Sequence, residues 1–193
     1  MSSISVPRIL IGVTGSIDAT LIPKYLSGIK AGIDCHLTVL TTDNAEKFVP
    51  AATLALFADR VISGERPCDW PSDKPSRIVA DHDIIAVMPA TANTLSVVAH
   101  GGAPNRLTTV ILAADYSVLF FPVMGASMWK KNSVMRNVVQ LRDDGYEVIE
   151  PIWHENFDAS LKRMVGHPSL PSVEAVVDIL KVLLTSTSVP VLS

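Results

Sequence analysis

Polar side chains that could bind a ligand follow an apolar run in the segment PATANT, residues 89–94. Its two alanines keep the surface flat, while Thr91, Asn93 and Thr94 offer hydroxyl and amide groups where a helix begins. Hydrogen-bonding groups on a flat surface suit the edge of a planar heterocycle. Because a helix cap needs only one such residue, the segment predicts a ligand site.

Two other segments could bind a phosphate group. In GVTGSI, residues 12–17, Gly12 and Gly15 allow close backbone approach, and Ser16 precedes the first amides of the next helix, an arrangement that binds anions. In LTTDNA, residues 40–45, the hydroxyls of Thr41 and Thr42 come at a second helix start. Either segment can equally be an ordinary turn or cap, but two at adjacent strand ends support each other.

The segment LFFPVMGASMWKK, residues 119–131, combines an apolar run with residues suited to contact a ligand. Pro122 ends the run at the expected ligand edge. We expect Met124 and Met128 to face a substrate or cofactor, and Trp129 to anchor the following helix by packing.

Alternating apolar runs and amphipathic stretches must place these segments, and they predict parallel strands joined by crossover helices. The predicted fold is a single α/β domain, residues 1–193, with a doubly wound, mostly parallel sheet and helices on both faces. The predicted strands are residues 8–15, 34–42, 83–90, 116–123 and 146–151. The predicted helices are residues 16–32, a helix from Asn44, and residues 91–101, 106–114, 127–145 and 172–186. Ligands of such sheets bind beyond the carboxyl ends of the strands, where the three segments lie.

Residues 151–171 show no clean period and contain His154 and His167. We interpret this stretch as a substrate flap whose histidines could reach the site. The proline-rich residues 65–75 are interpreted as an exposed loop.

Composition narrows the classes of partner. The chain has 193 residues, 48% of them hydrophobic, and a net charge of −3, so we expect neither nucleic acid nor an anionic membrane as a partner. Cys35 and Cys68 have no spacing typical of metal ligands or of a disulfide framework. With no signal peptide or membrane span recognisable at the amino terminus, we expect a cytoplasmic protein without a bound metal.

The sequence resembles the homo-oligomeric flavin-containing cysteine decarboxylases. This family includes phosphopantothenoylcysteine decarboxylase and enzymes that act on the C-terminal cysteine of lantibiotic-type, cypemycin-like or thioviridamide-like precursor peptides. One family signature, Pro-Ala/Ser-Ala/Ser/Thr-Ala-Asn-Thr, is intact at residues 89–94. A second, Pro-X-Met-Asn-X-X-Met-Trp, matches residues 122–129 except at the asparagine, and residues 12–17, 99–109 and 162–164 also look like family segments.

The resemblance implies a flavin bound at a subunit interface of a trimer, with trimers often grouped into a dodecamer. FMN is the expected cofactor, and FAD stays open. The phosphate would lie near Gly15, Ser16, Thr41 and Thr42, and the isoalloxazine edge near Ala90, Thr91, Ala92 and Asn93. The expected cofactor contacts also include Ile17, Phe48, Pro89 and Met124. In the chemistry of the family, the flavin oxidises the cysteine side chain to a thioaldehyde, after which carbon dioxide leaves and an enethiol remains.

The chain departs from the family at two catalytic positions. The family's catalytic histidine, fourteen positions before the first signature, corresponds to Pro75, and its carboxylate-binding asparagine corresponds to Gly125. Met128, the family's substrate-side methionine, is kept. The candidate catalytic residues are Asn93, Gly125, Met128, His154 and His167. Substrate binding is assigned to Gly125, Met128, Lys162 and Arg163. The substrate carboxylate would be bound by backbone amides that Gly125 leaves open, or by a flap cation such as Lys162 or Arg163. His36, His82 and His100 are interpreted as structural.

A third departure separates two subfamilies. The coenzyme A pathway enzyme uses a cysteine in its flap to protonate the enethiol, and this chain has no cysteine after Cys68. The sequence therefore favours an enzyme that stops at the enethiol of a precursor peptide with a C-terminal cysteine, which other peptide-modifying enzymes could then cyclise. The alternatives are phosphopantothenoylcysteine decarboxylase and a non-catalytic flavin-binding regulatory subunit.

Overall fold

A six-stranded parallel sheet forms the centre of the computed structural model, which describes residues 6–64, 73–158 and 162–187. The strands are β1 (Arg8–Val13), β2 (His36–Thr41), β3 (Arg60–Ile62), β4 (Ile84–Ala90), β5 (Val118–Pro122) and β6 (Glu147–Val148). Their order is β3-β2-β1-β4-β5-β6, and each neighbouring pair is parallel. The chain runs outward in one direction from β1 to β3 and in the other from β4 to β6. The order therefore reverses between β1 and β4, where open α/β sheets bind ligands.

Helices cover both faces of the sheet, as the sequence predicts. After β1 comes a 3₁₀ helix, Ile17–Leu21, and then α1 (Ile22–Gly32). The other helices are α2 (Asp43–Glu46), α3 (Ala51–Leu54), α4 (Pro75–Ala80), α5 (Ala92–Ala99), α6 (Arg106–Ala113), α7 (Ala126–Trp129), α8 (Asn132–Asp143) and α9 (Val173–Thr187).

Alternation along the strands builds two cores. In β1, Ile9, Ile11 and Val13 pack on the face covered by α1 and α9, while Leu10 packs on the opposite face with α5, α6 and α8. These four side chains are fully buried. A strand covered on both faces must be apolar on both, which explains why β1 reads as a continuous apolar run.

The structure corrects several sequence predictions of secondary structure. The helix predicted for residues 127–145 is two helices, because Lys131 has extended dihedral angles (φ −73°, ψ 133°) and separates α7 from α8. The three-residue strand β3 was missed, since so short a strand carries no readable period. Most of the loop predicted for residues 65–75 lies outside the described residues, and Pro75 is the first residue of α4.

Residues 151–171, predicted as an irregular flap, form an antiparallel hairpin of β7 (Ile152–Asp158) and β8 (Arg163–Ser169). Gly166 and Pro168 interrupt the alternation of β8, so the strand pattern is not visible in the sequence. Two of the contacts that attach residues 151–171 to the rest of the domain involve polar groups. The Tyr25 hydroxyl donates to the Pro171 carbonyl oxygen at 2.6 Å, and the Lys130 ammonium lies 5.4 Å from the centroid of the Trp153 ring.

Among the helices in the described part of the chain, none is long and apolar enough to cross a membrane.

Candidate functional site

A cleft of about 400 Å³ lies at the carboxyl edge of the sheet, where the strand order reverses. That volume falls within the range of about 300–1,000 Å³ typical of ligand pockets. Its lining comes from the residues that follow β1, β2, β4 and β5, joined by one residue before α6. The lining residues are Thr14, Gly15, Ser16, Thr42, Asn44, Thr91, Ala92, Asn93, Thr94, Asn105, Val123, Met124 and Met128.

Hydrogen bonds from the Thr14 side chain and from the backbone hold the strand ends together beneath the cleft. The buried Thr14 hydroxyl donates to the Pro89 carbonyl oxygen at 2.7 Å and accepts from the Thr91 amide at 3.2 Å. The Val123 amide donates to the Ala90 carbonyl oxygen at 3.0 Å. Each contact crosses from one strand end to the next, so the floor of the cleft is rigidly connected to the sheet.

Some side chains of the PATANT segment cap α5 or are buried in the core, and others line the cleft. The Thr91 hydroxyl caps α5 by accepting from the Thr94 amide at 3.3 Å, and the two threonine hydroxyls lie 3.0 Å apart. Ala90, the last residue of β4, is fully buried, and Ala92 lines the cleft. Pro89, whose preceding peptide bond is cis, accepts a hydrogen bond from the Thr14 hydroxyl at its carbonyl oxygen. Asn93 is exposed and lines the cleft, and its amide has no hydrogen-bond partner within the described residues. Asn93 is therefore the side chain of this segment best placed to bind a ligand.

The turn after β1 requires a glycine at position 15. A Cβ atom on Gly15 would lie 2.6 Å from the Cβ atom of Asn44 and 3.1 Å from its backbone carbon and oxygen. Real Cβ atoms essentially never come as close as 2.6 Å to another carbon, so the missing side chain lets the turn reach α2. The Ser16 hydroxyl accepts from the Asp18 amide at 3.4 Å and keeps its own proton for a ligand.

The two hydroxyls that follow β2 donate their protons within the protein. Thr41 is buried and donates to a carboxylate oxygen of Glu46 at 2.6 Å. Thr42 lines the cleft, but its hydroxyl lies 3.3 Å from the Val13 carbonyl oxygen, to which it donates, and accepts from the Ala45 amide. Of the two hydroxyls expected to bind phosphate, that of Thr41 therefore lies away from the cleft, and that of Thr42 caps α2.

The second signature segment lies on the opposite side of the cleft. Met124 and Met128 line it, and Trp129 is 6% exposed in the core, which agrees with the packing role expected of it. Gly125 is the N-cap of α7 with ordinary dihedral angles (φ −62°, ψ 145°). A Cβ atom there would lie 3.9 Å from the Met128 sulfur, an ordinary contact. Neither backbone nor packing therefore requires glycine at this position.

Several predicted site residues lie outside the lining of this cleft. Ile17 and Phe48 are 66% and 42% exposed beside it. Lys162, with a left-handed φ of 49°, and Arg163 are exposed on the hairpin.

The two hairpin histidines, His154 and His167, face each other across β7 and β8 and do not line the cleft. His154 instead lines a second cavity of about 340 Å³ beside Asp18 and Tyr25. Burial raises the pKa of the Asp18 carboxyl, and the nearby His167 opposes this shift.

The three histidines interpreted as structural do not line the cleft. His82 is 6% exposed and its Nδ1 atom lies 2.6 Å from the Ile78 carbonyl oxygen. Burial is the main cause that lowers its pKa. His36 begins β2 at the amino edge of the sheet, away from the cleft, and His100 follows α5 with its Nδ1 atom 2.7 Å from the Ser96 carbonyl oxygen.

Sequence reasoning missed four lining residues: Thr14, Asn44, Asn105 and Val123. Asn105 caps α6 in a reciprocal pair with Thr108. The pattern Asn-x-x-Thr before an apolar helix signals that cap, but nothing in it indicates that the cap faces a site built from β1 and β4. Asn44 and Val123 adjoin predicted residues, and Thr14 lies between the two glycines of its turn.

Comparison with known proteins agrees with this geometry. The flavoprotein family model matches residues 2–185. Mersacidin decarboxylase from Bacillus sp. strain HIL-Y85/54728 is 39% identical over 145 residues, which cover 75% of this chain and 74% of that protein. A substituted form of EpiD in complex with the substrate peptide DSYTC superposes with a TM-score of 0.82 at 28% identity, covering 91% of this chain and 99% of the other.

A third similar protein is described as an FMN-dependent cysteine decarboxylase. This structure, SpaF, superposes with a TM-score of 0.75 at 28% identity and covers 94% of this chain and 98% of its own. Family model, sequence identity and fold agree with the two signature segments on either side of the cleft. The chain therefore belongs to the flavoprotein family and, within it, to the flavin-containing cysteine decarboxylases.

Proposed function

We propose that this protein is an FMN-dependent enzyme that oxidatively decarboxylates the C-terminal cysteine of a ribosomally made precursor peptide to an enethiol. The observation that carries the proposal is the cleft itself, which brings the amide of Asn93 and the thioether of Met128 together at the strand-order reversal. The names of the similar proteins, a mersacidin decarboxylase and an enzyme bound to a peptide ending in cysteine, support this substrate class.

The residues present fit a flavin. Gly15 lets the turn after β1 lie close to Asn44, so that both line the cleft, Ser16 keeps a proton to donate, and the Asn93 amide has no partner within the described residues. We assign the phosphate to the end formed by Gly15, Ser16 and Asn44, and the ring edge to Ala92 and Asn93. When bound there, a flavin supplies the electron sink that lets the carboxylate leave as carbon dioxide.

The chain's own residues would position the cysteine and keep water from it. Met128 is 47% exposed at the mouth of the cleft, and with Val123 and Met124 it provides an apolar wall for a thiol side chain. The Asn93 amide can both donate and accept hydrogen bonds, so it can orient cofactor and substrate together. These are binding and orienting roles, and they keep the reacting atoms in one geometry.

The peptide carboxylate requires a partner other than the family's asparagine, because Gly125 has no side chain. We assign this role to a cation of the hairpin, Lys162 or Arg163, since both are exposed on one strand end of a segment attached beside α7. An arginine can bind a carboxylate through two parallel hydrogen bonds. The hairpin would then act as the flap that covers the peptide.

A complete site would also use a second copy of the chain. Ile17, Leu21 and Phe48 are between 42% and 66% exposed close to the phosphate end of the cleft. Exposed apolar side chains favour a protein contact, and these three lie in the segments that follow the cleft-lining residues Ser16 and Asn44. We propose a homo-oligomer, a trimer or a dodecamer, with the flavin at the contact.

Of the rival functions, phosphopantothenoylcysteine decarboxylase is disfavoured by Pro75, Gly125 and the lack of a cysteine after Cys68. A non-catalytic flavin-binding subunit would bind the cofactor without turning over any peptide.

Incubation of the purified, flavin-loaded protein with a peptide ending in cysteine tests the proposal. Mass spectrometry should find a product that has lost carbon dioxide and two hydrogens, and the flavin absorbance should bleach under anaerobic conditions. A matched peptide ending in serine should give neither change. If a range of cysteine-ending peptides leaves both mass and absorbance unchanged, the enzyme assignment fails and the non-catalytic subunit is favoured.

A further inference from the structure

A cavity with polar walls lies at the amino edge of the sheet, opposite the cleft, and we call it the amino-edge cavity. Its volume is about 220 Å³, and its lining residues are Arg8, His36, Thr38, Arg60, Asp81 and His82. Arg8 and Arg60 are the first residues of β1 and β3. Thr14 of the cleft follows Arg8 by six residues of extended chain, which places the two sites roughly 20 Å apart. The amino-edge cavity is therefore separate from the proposed flavin site.

Two side chains of this cavity are buried polar groups with an atom that no described residue satisfies. Thr38 is 3% exposed, and its hydroxyl has no hydrogen-bond partner among the described residues. His82 is 6% exposed, and its Nδ1 atom lies 2.6 Å from the Ile78 carbonyl oxygen. Because a carbonyl oxygen can only accept, Nδ1 must carry a proton, and the Nε2 atom is left for another partner. Buried polar groups are normally satisfied, so these two atoms indicate a ligand that enters the cavity.

The charges around the cavity favour an anion. Arg60 pairs with Asp73 through one nitrogen, Nη2, and a guanidinium group has five N–H donors in all. Within the described lining, the carboxylate is that of Asp81, whose oxygens lie 3.8 Å from Nη1 of Arg8 and 3.7 Å from Nε of Arg77. Two guanidinium groups therefore line the cavity beside one carboxylate that a third arginine shares, and this arrangement attracts negative charge.

The ring of His82 adds an acceptor to these donors. Burial is the main cause that lowers the pKa of His82, and the charges of Arg60 and Arg8 lower it further, against the opposing effects of the Ile78 carbonyl and Asp81. The ring is therefore neutral at neutral pH, and its Nε2 atom accepts a hydrogen bond. A ligand that satisfies the whole cavity must carry both negative charge and an O–H group. Hydrogen phosphate has both, whereas sulfate at neutral pH has only acceptors.

We propose that the amino-edge cavity binds hydrogen phosphate, with Arg8, Arg60 and Thr38 donating to its oxygens and His82 accepting from its hydroxyl group. The cavity is smaller than the range of about 300–1,000 Å³ typical of pockets for larger ligands, which suits a small anion. The bound anion would connect the starts of β1 and β3 with the residues before β4. This site goes beyond the proposed reaction and does not depend on it.

Titration of the flavin-loaded protein with inorganic phosphate tests the proposal, at neutral pH and constant ionic strength. Nuclear magnetic resonance of the imidazole nitrogens reports on the site itself, and the His82 signal is assigned by its loss in His82→Asn. We expect the Nε2 signal to shift and saturate with phosphate, and the Kd for sulfate to be about 10-fold higher or more.

Two substitutions test the donors. Thr38→Val should raise the phosphate Kd about 10-fold or more, yet it should not lower the unfolding temperature measured without phosphate, because the hydroxyl has no partner in the described part of the protein. Arg60→Met should also raise the Kd about 10-fold or more, and Arg60→Lys, which keeps the charge, should raise it less.

Arg142→Met is the matched control, because Arg142 also pairs with a carboxylate, that of Glu150, but does not line the amino-edge cavity. It should leave the phosphate Kd unchanged. A His82 signal that stays fixed or moves without saturating, equal affinities for phosphate and sulfate, or an unchanged Kd in Thr38→Val would overturn the proposal. If the chain binds no flavin, only the proposed function fails, since the His82 signal still separates binding here from binding in the cleft.

Discussion

Gly15 is the position where a single methyl group should weaken cofactor binding most directly. In Gly15→Ala the new Cβ atom would lie 2.6 Å from the Asn44 Cβ atom and 3.1 Å from its backbone. Carbon atoms in good contact are about 3.5–4.0 Å apart, so the two segments must separate by roughly 1 Å. Both segments line the cleft, and neither contact is the flexible end of a side chain that could turn aside.

Overpacking of this kind costs about 1–3 kcal/mol. If the flavin needs the unshifted arrangement of Gly15 and Asn44, the same free energy is lost from binding, and the FMN Kd should rise about 5- to 150-fold. Fluorescence titration of the cofactor-free protein measures this change. Thermal unfolding of the same samples measures any loss of stability separately.

Two other glycines serve as controls for Gly15→Ala. In Gly12→Ala the new atom would meet only the tip of Leu107, Cδ1 at 2.6 Å, and in Gly125→Ala it would lie 3.9 Å from the Met128 sulfur. We expect the first to lose stability with little change in FMN affinity, and the second to change neither by much. Equal FMN affinities for Gly15→Ala and the unaltered protein would refute this explanation of the turn.

Three further outcomes are expected. Gly125→Asn should fold normally, because asparagine is a good N-cap. If the space beside Gly125 serves the peptide carboxylate, this substitution should lower turnover of a cysteine-ending peptide. Higher turnover would show that the glycine has cost this chain catalytic activity. Lys130→Met should raise the peptide KM about 2- to 5-fold and leave kcat and FMN affinity unchanged, because it removes a cation–π contact with Trp153 worth about 0.5–1 kcal/mol. Lys130→Arg, which keeps the positive charge, should restore the KM. An unchanged KM in Lys130→Met would contradict a role of Lys130 in holding the hairpin. Burial lowers the pKa of His82 in the folded protein, so as the pH falls below about 6.5 the histidine binds a proton more readily in the unfolded chain than in the folded one. The free energy of unfolding measured in urea should therefore fall between pH 7.5 and 5.5, and it should fall less steeply in His82→Asn. An equal pH dependence in the two proteins would argue against a contribution from this histidine.

Local patterns carried the prediction of the sheet and of the site's location. β1, β2, β4 and β5 each appear as an apolar run ended by glycine, threonine or proline. Ligands bind past the carboxyl ends of parallel strands, so the segments that follow these strands can be placed together from the order of residues along the chain. Two signature segments then indicated the family, because motif residues keep their spacing along the chain.

The hairpin β7–β8 could not be predicted from local sequence patterns. Its strands pair through backbone hydrogen bonds to each other, and Gly166 and Pro168 break the alternation that would reveal them. The stretch therefore resembles an irregular loop in the sequence. Strand pairing is decided by contacts between segments, which a period along one segment does not encode.

The donors available to a ligand were decided by the tertiary structure. By sequence, Thr41 and Thr42 are hydroxyls at a helix start, while Asn44 is an ordinary helix residue. In the folded chain the two threonines donate to Glu46 and Val13, and Asn44 presents an NH₂ group that no described residue accepts. The sequence by itself determined the fold class, the family and the edge of the sheet that binds the ligand. Only the three-dimensional structure determined which polar atoms at that edge can still bind a ligand, because a hydrogen bond to a distant backbone atom can use a donor without leaving any trace in the local sequence.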